Sequence, residues 1–387
     1  MFKKYLTLPK EVWILSLGTL INNIGNVTAP FLTLIISIRL GYSAEITGLL
    51  LATKTIISVI GVSVGGILTD RIGRKKVIVL FGTVAVIGYL ACAVSSSMPT
   101  RIIGLLAIVT FFQSCMDPAS VALMMDVVET DRQRDAFSLQ YIGINIGFAI
   151  GPLLAAILYK NALGYLFMID GFTLGISVML TAMFVKERYH VSKIATKTSM
   201  ISHVLKNRQL SWFVVSAILI FIVFFQYSFG LPLQMEQFFG IDAGASLYAI
   251  LMSVNAITVV VATVFIMHAV KKFSYRDTII LGAFFYAIGF GMYGISSTWL
   301  LAIMATVLWS LGEILVSSTV NPCISEMSPP ELHGRLSALF PLIRRLAAFI
   351  SPLAGGWIIG SLGIGALWPL LAITAVGAGF ILKLTAK

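Results

Sequence analysis

The chain has 387 residues, of which 58% are apolar and 11% charged, with a mean hydropathy of +0.97. A soluble fold of this length must keep a hydrated surface that such a composition cannot supply, so most of the chain has lipid as its solvent. The formal net charge of +11 does not indicate a nucleic-acid partner, because in a membrane chain the distribution of positive charge among the loops explains a basic balance.

Hydrophobic stretches long enough to cross a hydrocarbon core of about 30 Å recur from end to end. They predict twelve helices, over 12–36, 46–69, 77–97, 102–125, 137–159, 165–185, 211–233, 245–269, 277–296, 299–324, 335–360 and 364–384. The first carries Asn22, Asn23 and Asn26 and has no small-residue cleavage pattern after it, so it reads as a retained helix rather than a signal peptide. Lys54 falls in the second, Asp117 followed by Pro118 in the fourth, and Gly143, Gly147 and Gly151, then Pro152, in the fifth. Asp170 falls near the expected outer end of the sixth, where it reads as solvated. Gln226 and Tyr227 in the seventh lie at depths matching the asparagines of the first. Glu313 follows Gly312 in the tenth, and Arg344 and Arg345 stand side by side in the eleventh. Cys92, Cys115 and Cys323 occur singly inside predicted helices without CxxC spacing, which suggests neither disulfides nor a metal site.

The longest polar interval, 186–210, reads as a linker between an N-terminal six-helix bundle, 1–185, and a C-terminal one, 211–387. With the N-terminus inside, 21 of the 27 lysines and arginines fall in inside segments, and only Arg39, Arg101 and Lys160 fall in outside loops. This bias predicts both termini in the cytoplasm and, with no organelle signal apparent, a prokaryotic plasma membrane. The halves repeat at an offset of about 200 residues: Ile150-Gly151-Pro152-Leu153 lies over Ile350-Ser351-Pro352-Leu353. An even number of helices per half gives both the same orientation, so the expected fold is all-α and integral to the membrane, two six-helix bundles related by a pseudo-twofold along the membrane normal.

Between the second and third helices stands Gly66-Ile67-Leu68-Thr69-Asp70-Arg71-Ile72-Gly73-Arg74-Lys75-Lys76. Gly66 is read as allowing close helix approach and Gly73 as permitting a tight turn, with the charges suited to the headgroup zone. The segment resembles the G-x-x-x-D-[RK]-x-G-x-[RK]-[RK] signature of the major facilitator superfamily. That resemblance implies a charge network of Asp70 and Arg74 that locks and releases the two halves, with Asp126 as the partner of Arg74, in a chain that works as a monomer. The glycine stripe and proline of the fifth helix look like the motif that marks the drug:proton antiporter branch, although Ala155-Ala156 replaces its final glycine pair.

An ionised side chain at a helix centre costs at least about 2.5–3.5 kcal/mol on insertion scales, so Lys54, Asp117, Asp170, Glu313, Arg344 and Arg345 each need a partner, water or a proton. A carboxylate in such a place can take a proton on one side and release it on the other, and Glu313, then Asp117, are the candidates for proton coupling. Lys54 is expected to pair with Asp117 or meet an anionic substrate. Adjacent residues diverge by about 100° around a helix, so only one of Arg344 and Arg345 can face a cavity, the other turning to the cytoplasmic side or to Glu313. With Lys54, Asn22, Asn26, Gln226 and Tyr227 they are the substrate-cavity candidates, among aromatic residues such as Phe111, Phe112, Phe221, Phe224 and Phe225 and beside Met116.

The expected function is proton-coupled efflux of hydrophobic or amphipathic small molecules by alternating access, with membrane lipid as surroundings. Export or flipping of a specific sugar, peptide, siderophore or lipid, or a receptor that transports nothing, are the competing readings. The sequence has no phosphate-binding loop for ATP drive, no catalytic histidine motif and no cofactor signature, so it does not read as an enzyme.

Overall fold

The computed structural model describes residues 3–96, 98–161, 163–186, 204, 207–327, 336 and 339–384. Most of the interval expected as a linker, residues 187–203, 205 and 206, lies outside the described residues, as do His333 and Arg335. The described residues include twelve helices long and apolar enough to cross a membrane. They are α1 (Lys10–Arg39), α2 (Ala44–Ile72), α3 (Arg74–Val94), α4 (Pro99–Asp126), α5 (Gln133–Tyr159), α6 (Leu163–Phe184), α7 (Arg208–Phe239), α8 (Ile241–Ala269), α9 (Tyr275–Ile295), α10 (Trp299–Glu326), α11 (Leu339–Leu362) and α12 (Ile364–Leu384). Apolar side chains such as Val260, Val261, Val264 and Phe265 of α8 stand exposed, as is required of a surface solvated by acyl chains.

Local signals account for the helix ends. Gly73 adopts φ +100° between α2 and α3, a conformation that a side chain opposes, and so ends one helix and starts the next within one residue. Asn207, Ser274 and Thr298 each accept a backbone N–H from three residues on, which satisfies donors that α7, α9 and α10 would otherwise leave open.

Two helices are broken where hydropathy alone predicts a continuous span. α1 runs helically over Lys10–Gly25, leaves the helical region at Asn26 (ψ 65°) and resumes over Thr28–Leu34 before a wider turn at Ile35–Arg39. α7 breaks between Phe225 and Gly230. There Leu231 donates its N–H to the Gln226 carbonyl at 3.0 Å, so the break closes on itself.

The helices group into two compact units, Met1–Ile35 with Thr53–Ile194 and Ile36–Ala52 with Ala195–Lys387. Within the first, α1 packs on α5 and α6, and α3 on α4 and α6. Within the second, α7 packs on α11 and α12, and α9 on α10 and α12. The second pattern is the first advanced by six helices, the duplication read from the sequence carried into packing. Glycines set these approaches. A side chain at Gly147 of α5 would strike the backbone of Asn23 on α1, and one at Gly355 of α11 would lie 2.8 Å from Phe229 on α7.

Candidate functional site

In the second unit, α10 presents Thr306, Trp309, Ser310 and Glu313 at three- and four-residue spacing, so they share a stripe of one helix. Asn255 of α8 donates its amide to Glu313 Oε2 at 2.8 Å and to Ser310 Oγ at 3.0 Å, fixing the carboxylate from a neighbouring helix. Arg344 of α11 is an electrostatic partner of Glu313. Its guanidinium lies over the rings of Phe221, Phe224, Phe225 and Phe340, 5.1–5.8 Å from their centroids, a cation held largely by π faces. Tyr227, at the break of α7, stacks on Trp309 with centroids 5.9 Å apart. Tyr286 of α9 is fully buried beside Gly312, and its hydroxyl has no hydrogen-bond partner among the described residues. The cluster thus joins an acid, a base, an amide and an unused phenol in an aromatic enclosure, the mix of apolar wall and few polar anchors that suits an amphipathic ligand.

Other expected cavity residues go elsewhere. Gln226 is fully buried and donates to the Ser351 carbonyl at 2.7 Å, while Ser351 Oγ donates to the Ile222 carbonyl at 2.8 Å. It fastens α7 to α11 and cannot line a cavity, because no part of it reaches open space. Arg345 diverges from Arg344 as helix geometry requires, is half-buried, and makes no hydrogen bond or ion pair among the described residues.

In the first unit, Asp170 corrects the expectation of a solvated residue. It is 3% exposed, and its two oxygens accept the N–H groups of Val27 at 3.0 Å and Thr28 at 3.1 Å, where α1 is broken. The break brings backbone donors to the acid, which no hydropathy profile reveals. Lys54 and Asp170 interact electrostatically, an acid the sequence reading did not set against this lysine. Asp117 itself is exposed, and Asn22 and Asn26 are half-buried. Phe112 packs edge-on against Phe81 of α3, and Met116 is buried against Gly82, so these two fill space between α3 and α4.

At the α2–α3 turn, Arg74 Nε stands 2.9 Å from Asp126 Oδ2 with both side chains largely buried, and Lys75 Nζ donates to the Val185 carbonyl at 2.8 Å. Asp70, Arg71 and Lys76 are exposed. A side chain at Gly66 would meet nothing within 4 Å, whereas one at Gly61 would lie 2.6 Å from the Phe111 carbonyl and one at Gly65 would strike Cys115. The close approach of α2 to α4 therefore rests on Gly61 and Gly65, and the reading of Gly66 as a contact glycine is corrected.

The sequence matches the family model of the Major Facilitator Superfamily over residues 15–352 and again over 241–386. The chain belongs to the Major Facilitator Superfamily. Among curated relatives, an uncharacterised superfamily transporter of Bacillus subtilis, YqjV, is 25% identical over 371 residues, covering 94% of this chain and 90% of its own. A Na(+), Li(+), K(+)/H(+) antiporter of Planococcus maritimus is 24% identical, covering 91% of this chain and 90% of its own. Among solved structures, the nucleoside transporter NupG matches with TM-score 0.82 at 14% identity over 98% of this chain and 100% of its own. An auto-inhibited peptide transporter of the POT family matches with TM-score 0.81 at 14% identity over 98% and 97%. These structural likenesses establish a shared superfamily fold.

In this superfamily member the glycine stripe of α5 lies on α1, with Gly143 against Leu20 and Gly151 against the carbonyls of Asn23 and Ile24; Pro152 is buried within a continuous α5. Sequence reasoning missed Asn255, Ser310 and Tyr286. Of these Asn255 carried a signal, a lone amide in the apolar run Ser253–Val261, where an unpaired polar group is costly enough to imply a partner.

Proposed function

We propose that the chain is a proton-coupled secondary transporter that exports hydrophobic or amphipathic small molecules by alternating access. It works as a monomer in the plasma membrane with both termini in the cytoplasm. The observation that carries this reading is Glu313, held by Asn255, which also bonds Ser310, and faced by Arg344 within an aromatic enclosure. A carboxylate with neutral donors and a π-held counter-ion can exchange its proton for a ligand without leaving a bare charge in lipid. Tyr227 and the phenylalanines of α7 supply the surface for the apolar part of that ligand. The stripe of α5 supports the drug:proton branch. The Arg74–Asp126 pair, with Asp70, Arg71, Gly73, Lys75 and Lys76, supports a lock whose charge contacts change as the transporter alternates.

The relative that exchanges Na(+), Li(+) or K(+) for protons favours a second reading, in which the exported species is a monovalent cation. One experiment separates the two. Proton release is followed in weakly buffered, detergent-purified protein on addition of amphipathic cations and, separately, of sodium, lithium and potassium salts. Release by amphipathic compounds that is lost in Glu313→Gln and kept in Asp117→Asn supports the first reading. Release by the inorganic cations alone supports the second, and binding without release removes proton coupling.

A further inference from the structure

The buried acid of the first unit has no part in the site around Glu313, yet it is the more deeply enclosed of the two. Asp170 sits on α6, three residues before Thr173, against which Gly25 of α1 is packed with no room for a side chain. Helix α1 therefore meets α6 at the place where its own hydrogen-bond ladder stops. There Asn26 is non-helical, and the next two backbone N–H groups point to the carboxylate, that of Val27 being shared with the Gly25 carbonyl at 2.7 Å. Among the described residues, Lys54 of α2 acts electrostatically on the carboxylate, and the carboxylate acts on Tyr89 and Cys92 of α3. Tyr159 of α5 donates its hydroxyl to the Leu34 carbonyl at 3.4 Å. At the corresponding break in α7 no carboxylate accepts a backbone N–H among the described residues. That break is closed by backbone bonds and by the neutral Gln226.

We propose that Asp170 is a positioning residue for transport, a charged latch on the hinge of α1 in which the carboxylate holds Val27 and Thr28 and Lys54 supplies its counter-charge. The inference rests on the transporter reading for its role, but not for its detection. Two charge-assisted hydrogen bonds fix the start of the outer segment, Thr28–Leu34, to α6. Loss of the negative charge weakens both bonds, because a neutral carboxyl is a poorer acceptor; Val27 keeps the Gly25 carbonyl but Thr28, at the start of a helix, has no helical carbonyl to turn to, and the segment swings more easily about Asn26. Alternation asks a helix to bend at a defined place, and here that place is pinned by a side chain whose charge can be removed.

The test is amide hydrogen exchange of the 25–34 segment in detergent-purified full-length protein, at several pH values and normalised to the 13–22 segment of the same helix. Asp170→Asn is expected to exchange about tenfold faster or more at Thr28, because one buried charge-assisted bond is lost. Asp170→Glu keeps the charge and is expected to lie closer to wild type. A merely structural residue reverses that order, since asparagine is the better fit to the space. Lys54→Met is expected to raise exchange at acid pH before alkaline, and to move the acid limb of any flux profile toward neutral pH rather than lower its height alone. Wild-type protection in Asp170→Asn, or better protection in Asn than in Glu, overturns the latch. Should Asp170→Asn fail to fold, wild-type exchange in Lys54→Met at every pH overturns it instead. Absence of flux from the wild-type protein bears on the transporter reading and leaves the exchange result to decide the latch.

Discussion

At Glu313 the charge and depth were legible as an acid in an apolar run, but the residues that make it usable were not, because Asn255 reaches it from another helix 58 positions away. Asn255→Ala removes the donor to a half-buried carboxylate, which costs about 1–3 kcal/mol. The expected outcome is a lower thermal unfolding midpoint together with proton release at a changed pH, read in the same assay as the wild type. Tyr286→Phe is the informative contrast. Its hydroxyl has no partner among the described residues, so its removal is expected to leave stability within about 1 kcal/mol or raise it. A loss of ligand affinity in that variant would identify the phenol as a ligand contact, whereas unchanged affinity would leave it a packing residue. Asp170 shows the opposite limit of sequence reading. Its type was evident and its surroundings were not, since they arise from backbone N–H groups exposed by a break in another helix.

At the scale of the element, the spans themselves were readable to within a few residues because lipid imposes their length and composition. Helical phase was harder to read. Gly65 and Gly66 are adjacent, yet a rotation of about 100° decides which one touches α4, and a motif names positions rather than directions. Gly65→Leu is therefore expected to lower stability by about 1–3 kcal/mol or more, because it collides with the backbone of Cys115, which cannot rotate aside. Gly66→Ala is expected to be neutral or to stabilise by up to about 1 kcal/mol through helix propensity. Thermal unfolding of the two purified variants checks both; equal effects would refute the assignment of the contact. The breaks in α1 and α7 were not legible at all. Gly25-Asn26 and the run Gln226–Gly230 are weak signals when every neighbour is a good apolar helix residue.

For the whole molecule, the duplication was visible as matched segments 200 residues apart and returns as the same helix-packing pattern in each unit. What the offset did not disclose is that residues 36–52, early in the chain, group with the second unit, a result of tertiary contact rather than of repeat order. The orientation proposed from the distribution of lysine and arginine has a direct check. The three native cysteines are buried, so a membrane-impermeant maleimide is expected to label Arg101→Cys in intact cells and Lys271→Cys only after permeabilisation, and the reverse result would invert the topology. The six tryptophans divide in a way that is useful to the spectroscopist. Trp13, Trp212, Trp299 and Trp357 are exposed, whereas Trp309 and Trp368 are fully buried. A brominated lipid would darken the outward indoles and leave the inward pair emitting. Trp309 stacks on Tyr227 one turn from Glu313, so the light that survives the quencher comes in part from the wall of the proposed binding site, and the unmodified protein carries its own optical reporter of what enters there.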